Sequence, residues 1–222
     1  MGDGLVPFRV LSDDAEVAHG PLAVALGAEF ESLRAASLDA ALAPLVAELA
    51  PHAAADPAAQ LLAAETAFSQ HLRTEAREHR DLGVGDLLPH QVAERGRGHE
   101  LAVMLVALEA ARRAGIELGI VACEEAIYIA HPQLDAPVLL AAEPEQPWAL
   151  VDARELAEQE LEWQCAHEAV ALLLGLILER THETGHLAHE LLAAELWLAL
   201  PLDDDEQERA QTRLASVRAR LN

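Results

Sequence analysis

Lysine is absent from the 222-residue chain, so arginine supplies all 15 of its basic residues. They are outnumbered by 38 aspartates and glutamates, and the formal net charge is −23 at pH 7. An electrostatic field of this sign repels nucleic acid and anionic membrane surfaces, so we expect neither as a partner. High solubility is one consequence of such a charge, and recruitment of a basic protein is the functional alternative.

Aromatic residues are also scarce, at 3% of the chain, whereas apolar residues as a whole reach 52%. A core must therefore be built from alanine, leucine and valine. The excess of alanine and leucine favours helix over strand, and the length fits one compact unit.

Cysteine occurs only at Cys123 and Cys165. Two cysteines in a chain of this length form no disulfide framework, which favours a reducing compartment. The N-terminal sequence lacks the charged and then apolar pattern of a secretory signal. The longest apolar run, over residues 169–178, has about half the length that a bilayer requires. We therefore expect a cytoplasmic protein.

The first half of the chain has the periodicity of helices. A short capped segment is predicted over 11–20, with Gly20 and Pro21 as its stop. Asp56 and Pro57 predict the N-cap and first turn of a later helix. The remaining predicted helices cover 37–51, 87–98 and 99–115, and the last of these is apolar enough to be buried.

Short apolar and β-branched segments then predict three or four antiparallel strands between residues 116 and 155. From about Ala157 helices are predicted again, including one over 186–200 and one over 204–221. The predicted fold is α+β and predominantly helical. We divide it into a helical N-terminal region (1–87), a core with a small sheet and a buried helix (88–156), and a helical C-terminal region (157–222), together one compact unit.

The segment RGHELAVMLVALEAARRAGIELGIV, ending at Val121, resembles the central helix of the transglutaminase-like, or papain-like, fold. Between about Leu38 and Leu214 the chain is similar to SirB-type proteins, a bacterial branch of that superfamily. ARRAGIEL, WALVD and PLDDDEQERAQTRL match best. The resemblance implies a transglutaminase-like core over 88–156, followed by tetratricopeptide-like helices.

In active members of this superfamily a cysteine, a histidine and an aspartate together perform acyl transfer. The resemblance places the nucleophile position on Glu100 and the histidine position at or beside Ala126, and only Asp152 matches in residue type. SirB-type proteins often lack the cysteine but usually keep a Gly-His pair, which is Glu125-Ala126 in this chain. We therefore expect the ancestral chemistry to be lost, and no cofactor.

Other residues offer alternatives near the same cleft. Cys123 paired with His131 or with His99 would rebuild a thiol site, although a single cysteine in a strand is usually a small buried apolar residue. Glu100 with Glu124-Glu125 would form a carboxylate cluster for a cation or for acid–base work. Solvated charges at strand ends are the ordinary alternative for these acids.

Two further pairs have simple structural explanations. Arg112-Arg113 matches a basic pair in the resembled family, and favourable charge at a helix C-terminus also accounts for it. Cys165 and His167 would lie about 200° apart around a helix and cannot share a ligand face.

The stretch THETGHLAHE, from Thr181 to Glu190, contains the His-Glu-x-x-His pattern of zinc proteases. On one continuous helix His182, His186 and His189 would share a face and could hold zinc. Gly185, however, lies where one helix of a hairpin should end and the next begin. We therefore predict a helix break and no zinc site, with a metal site as the alternative.

Three functions remain open. The first is a non-catalytic transglutaminase-like protein that binds a protein partner or forms a homodimer, for instance through the apolar segment 191–202. The second is a metal-dependent hydrolase that uses His182, Glu183 and His186. The third is a small-ligand binder at the vestigial cleft around Glu100, Cys123 and Asp152.

Overall fold

The computed structural model describes residues 5–31, 33, 35–75, 82–123, 126–134, 138–144, 146–156 and 161–221. These residues form the predicted α+β fold, which is predominantly helical. The α-helices are α1 (Phe8–Ser12), α2 (His19–Phe30), α3 (Ala35–Leu49), α4 (Pro57–His71), α5 (Pro89–Arg95), α6 (Glu100–Ala114), α7 (Ala166–Thr184), α8 (Leu187–Trp197) and α9 (Asp204–Ala219). No helix of this described part has the length and apolar character needed to cross a membrane.

Two sheets accompany the helices. A short parallel pair consists of β1 (Arg73–Thr74) and β2 (Arg97–Gly98). The larger sheet consists of β3 (Gly119–Cys123), β4 (Ala126–Ala130), β5 (Val138–Ala141), β6 (Ala149–Asp152) and β7 (Glu162–Gln164). Its strand order is β6-β5-β4-β3-β7, and every neighbouring pair is antiparallel. The predicted antiparallel meander of three or four strands is confirmed with four, β3 to β6, and β7 extends the sheet beyond β3.

The apolar helix predicted over 99–115 is α6, and it is buried along most of its length. It ends at Gly115, as predicted, in the left-handed conformation of a helix C-cap. One face of the sheet contributes Ile120, Ile129 and Leu140 to the same hydrophobic core as α6. This packing holds the sheet against the helical layer.

The other face of the sheet has a separate small cluster. Val121, Ala130 and Leu139 are buried there together with Ala153. Tyr128 packs partly buried against the same cluster. Because side chains alternate between the two faces of a strand, Cys123 and Ala126 belong to this second face.

The predicted caps of the N-terminal helices are partly right. Asp56 caps α4, because its side chain accepts the amide hydrogen of Ala59 at 3.0 Å. The expected stop at Gly20 and Pro21 is wrong, since both residues lie in the first turn of α2. Proline is favourable in a first turn because the amide it lacks has no partner within the helix.

A second correction concerns the start of the C-terminal helices. The helix predicted from about Ala157 begins instead at Ala166, and residues 157–160 lie outside the described part. Just before α7, Trp163 and its two neighbours form β7, which pairs with β3. Three residues show no readable periodicity, so this strand was missed.

The helices α7, α8 and α9 pack as successive hairpins. α7 also contacts α2, and α8 contacts α9. Asp203 caps α9 by accepting the amide hydrogen of Glu206 at 2.7 Å. The predicted helical C-terminal region is therefore present.

Candidate functional site at the start of helix α6

The short parallel strands β1 and β2 lead the chain into α6. Thr74 on β1 donates its hydroxyl hydrogen to the carbonyl oxygen of Ala142, just past β5, at 3.4 Å. β2 ends two residues before Glu100, where α6 starts. The beginning of α6 therefore lies at one end of the sheet, where β3 and β5 end and β4 begins.

Glu100, the residue at the predicted nucleophile position, is the first residue of α6 and is half-buried. Burial raises the pKa of its carboxyl group to about 7. His99 is the N-cap, and its Nδ1 accepts the amide hydrogen of Leu101 at 3.2 Å. The group at this position can exchange a proton near neutral pH, but it cannot act as a thiolate.

Tyr128 on β4 is a further titratable group near Glu100. Burial raises the pKa of the Tyr128 phenol, and the carboxylates of Glu100 and Glu143 raise it further. Tyr128 is therefore close enough to Cys123, Glu100 and Glu143 for each of them to affect it. Tyr128 and Glu143 were not predicted as site residues. The only feature of the sequence that could have pointed to Tyr128 as a site residue is that the chain has a single tyrosine.

Ala126, at the predicted histidine position, lies directly opposite Cys123 in the β3–β4 ladder. Its methyl group can neither accept nor donate a proton. Cys123 itself is buried, with 2% of its surface exposed. Glu124 and Glu125 lie outside the described residues, so the predicted carboxylate cluster is defined only at Glu100.

Asp152 does not join Glu100 and Ala126, contrary to the expectation from the resemblance. It pairs with Val138, where β5 begins. At about 3.3 Å per residue, the register places Asp152 roughly 16 Å along the strands from the level of Cys123 and Ala126. The match in residue type was thus misleading, because strand register decides which side chains meet.

Asp152 instead forms a surface ion pair. Its Oδ2 lies 2.7 Å from Nη2 of Arg154. Hydrogen bonds from Arg154 lower the pKa of the Asp152 carboxyl group. This local pair gives Asp152 a structural role at the edge strand β6.

His131 cannot rebuild a thiol site with Cys123. It follows Ala130, which pairs with Gly119 at the start of β3, whereas Cys123 ends that strand. Its Nε2 lies 2.9 Å from the side-chain oxygen of Gln60, to which it donates. Burial lowers the pKa of the imidazole, so the ring is neutral at neutral pH.

The helix break predicted within the His-Glu-x-x-His stretch is confirmed. α7 ends at Thr184, and Gly185 has a φ of 74°, a left-handed conformation that glycine adopts readily. His182 lies in the last turn of α7, while His186 is the N-cap of α8. In the described part of the chain, no group of three potential ligands is arranged to hold a metal ion.

The histidines of this stretch have other contacts. Nδ1 of His182 lies 2.8 Å from Oε1 of the buried Glu190 and 2.8 Å from Nη1 of Arg220. His189 packs edge-on against the ring of Phe30, with the ring centroids 5.7 Å apart. His186 lies beside His189, with a centroid distance of 6.1 Å. The contacts of these histidines link α7 to α8 and α8 to α2.

The two remaining candidate pairs are structural. Arg112 and Arg113 both donate to the carboxylate of Glu109, which is 3% exposed. Cys165 caps α7: its sulfur accepts the amide hydrogen of Glu168 at 3.4 Å, and the Glu168 carboxylate accepts that of Cys165 at 2.7 Å. Arg112 and Arg113 thus neutralise the buried carboxylate of Glu109, and their charge is also favourable at the C-terminus of α6.

Comparisons of the chain with protein-family models, with curated proteins and with solved structures find no significant match. The resemblance to transglutaminase-like proteins therefore stays a prediction from the residues. The function has to be inferred from the geometry of the chain itself.

Proposed function

We propose that the chain is a non-catalytic protein of transglutaminase-like type that acts as a protein-interaction or regulatory module. The observation that carries the proposal is the carboxyl group of Glu100 at the start of α6, where the resemblance expects a nucleophilic thiol. Acyl transfer needs a thiolate and a base that takes the thiol proton. A carboxyl group supplies neither the nucleophile nor the acyl-enzyme chemistry.

The side chains at the other candidate positions support the same conclusion. Ala126 brings a methyl group opposite Cys123. The thiol of Cys123 is buried away from any substrate in solution. Asp152, which would orient a histidine in an active relative, is paired with Arg154 on β6.

The C-terminal helices supply a surface for a partner. A shallow, open surface along α9, which we call the α9 groove, encloses about 680 Å³, and all of its lining residues lie on one face of this helix. They are Asp205, Glu208, Arg209, Thr212, Arg213 and Ser216. Stacked helical hairpins form binding faces of this kind in helical repeat proteins.

The charge of the chain favours a basic partner. Its formal net charge of −23 would attract such a protein over a distance of several ångströms at physiological salt. We therefore propose a basic cytoplasmic protein as the partner. A second copy of the same acidic chain would have to overcome repulsion between like charges.

Two substitutions in the α9 groove test the proposed interaction. Thr212→Arg and Ser216→Arg each place a long cation in the groove, so both should abolish binding of a basic protein captured from cell extract and then purified. Thr66→Arg is the matched control, because Thr66 is an exposed residue on α4, outside the groove. Binding that survives both groove substitutions, or no specific partner in extract, would contradict the proposal.

A metal-dependent hydrolase is less well supported. His182 and His186 lie on different sides of the Gly185 bend, and His182 already binds Glu190. A zinc protease needs both histidines on one helical face.

A further inference from the structure

A second cleft lies at the other end of the sheet from Glu100. It has a volume of about 300 Å³, which is at the lower end of the range for small-ligand sites. The start of α2, the end of α6, the beginning of β3 and strand β7 surround it. The residues that define its chemistry are His19, Arg112, Glu117, Leu118, Pro132 and Trp163.

Trp163 forms an aromatic wall of this cleft. The six-membered ring of its indole lies over Gly119, where a Cβ atom would come within 2.9 Å of Cζ3. Glycine at this position therefore allows the indole to lie close to β3. The side chain is nevertheless 54% exposed. An indole that is fixed on one side and open on the other is suited to stacking against a flat or apolar group.

Arg112 supplies a cation at the same cleft. Two of its five N–H groups donate to Glu109, at 2.8 Å from Nε and 3.0 Å from Nη2. This bidentate pair holds the guanidinium plane in place. Among the contacts of the described residues, the other three N–H groups have no protein acceptor, so they can bind a carboxylate.

Glu117 and His19 supply acceptors. Glu117 lies exposed in the turn after α6 and carries the opposite charge to Arg112. His19 donates from Nε2 to the carbonyl oxygen of Gln164 at 2.9 Å. Burial lowers the pKa of His19, so the ring is neutral and its Nδ1 is an acceptor.

We propose that this cleft binds a free amino acid with an apolar or aromatic side chain. Arg112 binds the α-carboxylate, Glu117 and Nδ1 of His19 accept hydrogen bonds from the α-ammonium group, and Trp163 stacks against the side chain. Leu118 and Pro132 complete the apolar wall. The proposed partner binding on α9 uses different residues, so the two proposals can fail independently.

L-Phenylalanine is the probe for this site, and isothermal titration calorimetry on the full chain is the measurement. Saturable binding with one site per chain is expected. 3-Phenylpropionate lacks the ammonium group and phenethylamine lacks the carboxylate, so each should bind at least about tenfold more weakly. Equal affinity for all three compounds would overturn the proposal, as would no saturation by L-phenylalanine at about ten millimolar.

Three substitutions locate the site on the chain. Trp163→Leu, Glu117→Gln and Arg112→Gln should each weaken L-phenylalanine binding by about tenfold or more. Trp163 and Glu117 are exposed, so their variants test the site even if loss of the Arg112 pair with Glu109 impairs folding. Leu62→Ala, on the exposed face of α4, is the control and should bind normally. Unchanged binding in both Trp163→Leu and Glu117→Gln would overturn the assignment.

Discussion

Cys123 lies directly opposite Ala126 across strands β3 and β4. The thiol is buried, whereas Cys165 at the start of α7 is exposed. We therefore predict that a thiol reagent modifies one cysteine of the native protein within minutes and the second only on unfolding. Cys165→Ser keeps a capping side chain and should leave the native protein unreactive. Rapid modification of Cys123 in that variant would show that the thiol is accessible after all.

The Glu100 carboxyl group should make stability depend on pH. Its pKa rises from an ordinary value of 4.5 to about 7 in the folded chain, because burial disfavours the charged form. The folded state thus holds this proton more tightly than the unfolded state. The resulting stabilisation is complete below pH 4.5 and is lost as the pH rises through 7.

Glu100→Gln removes this pH dependence, because glutamine stays neutral. At pH 8 the variant should be more stable than the wild type by about 1–2 kcal/mol, a value reduced for the partial exposure of the group. The difference should vanish near pH 4.5. Urea unfolding at several pH values measures it, with the exposed Glu208→Gln as control. A constant difference across this range would contradict the assigned titration.

Glu190 should be a centre of stability in the C-terminal helices. It is 1% exposed, and Nη1 of Arg220 lies 2.6 Å from its Oε2. Arg220→Ala removes one partner of a buried carboxylate and should lower the free energy of unfolding by about 1–3 kcal/mol. Arg218→Ala breaks the more exposed pair with Glu195 and should cost less than about 0.5 kcal/mol. Equal effects in chemical denaturation would argue against a special role for Glu190.

Zinc should not bind in stoichiometric amounts. The Gly185 bend separates His182 from His186, and the Nδ1 atom of His182 already lies in contact with Glu190 and Arg220. Elemental analysis after incubation with zinc and gel filtration should find well below one ion per chain. His186→Ala should leave that value and the melting temperature unchanged. One tightly bound zinc per chain that disappears in His186→Ala would revive the hydrolase hypothesis.

Local patterns in the sequence predict the helices well. α6 has an uninterrupted apolar body that ends at Gly115, and both features are properties of neighbouring residues. The error at Gly20 has a tertiary cause. A Cβ atom there would lie 2.7 Å from the Cα of Glu109, so glycine allows α2 to approach α6 closely. Gly20 is required for close packing against a helix that is distant in sequence, but its neighbours in sequence make it resemble a helix stop.

The candidate site was less predictable because its geometry depends on strand register. Asp152 matches the resembled family in residue type, yet its pairing with Val138 carries it away from Ala126. Tyr128 lies on β4 and Glu143 follows the end of β5, so no shared motif links them to Glu100. Strand β7 depends on pairing with β3, so Trp163 gave no local sign of its place in the second cleft.

The most direct measurement of whether the chain is non-catalytic is acyl-transfer turnover by the purified protein. A glutamine-containing peptide serves as acyl donor and a fluorescent primary amine as acceptor. Because the proposal puts Glu100 at the position of the thiol and Ala126 at that of the imidazole, wild type and Cys123→Ala should both give no more product than a protein-free blank. Turnover by the wild type that Cys123→Ala abolishes would contradict this central claim.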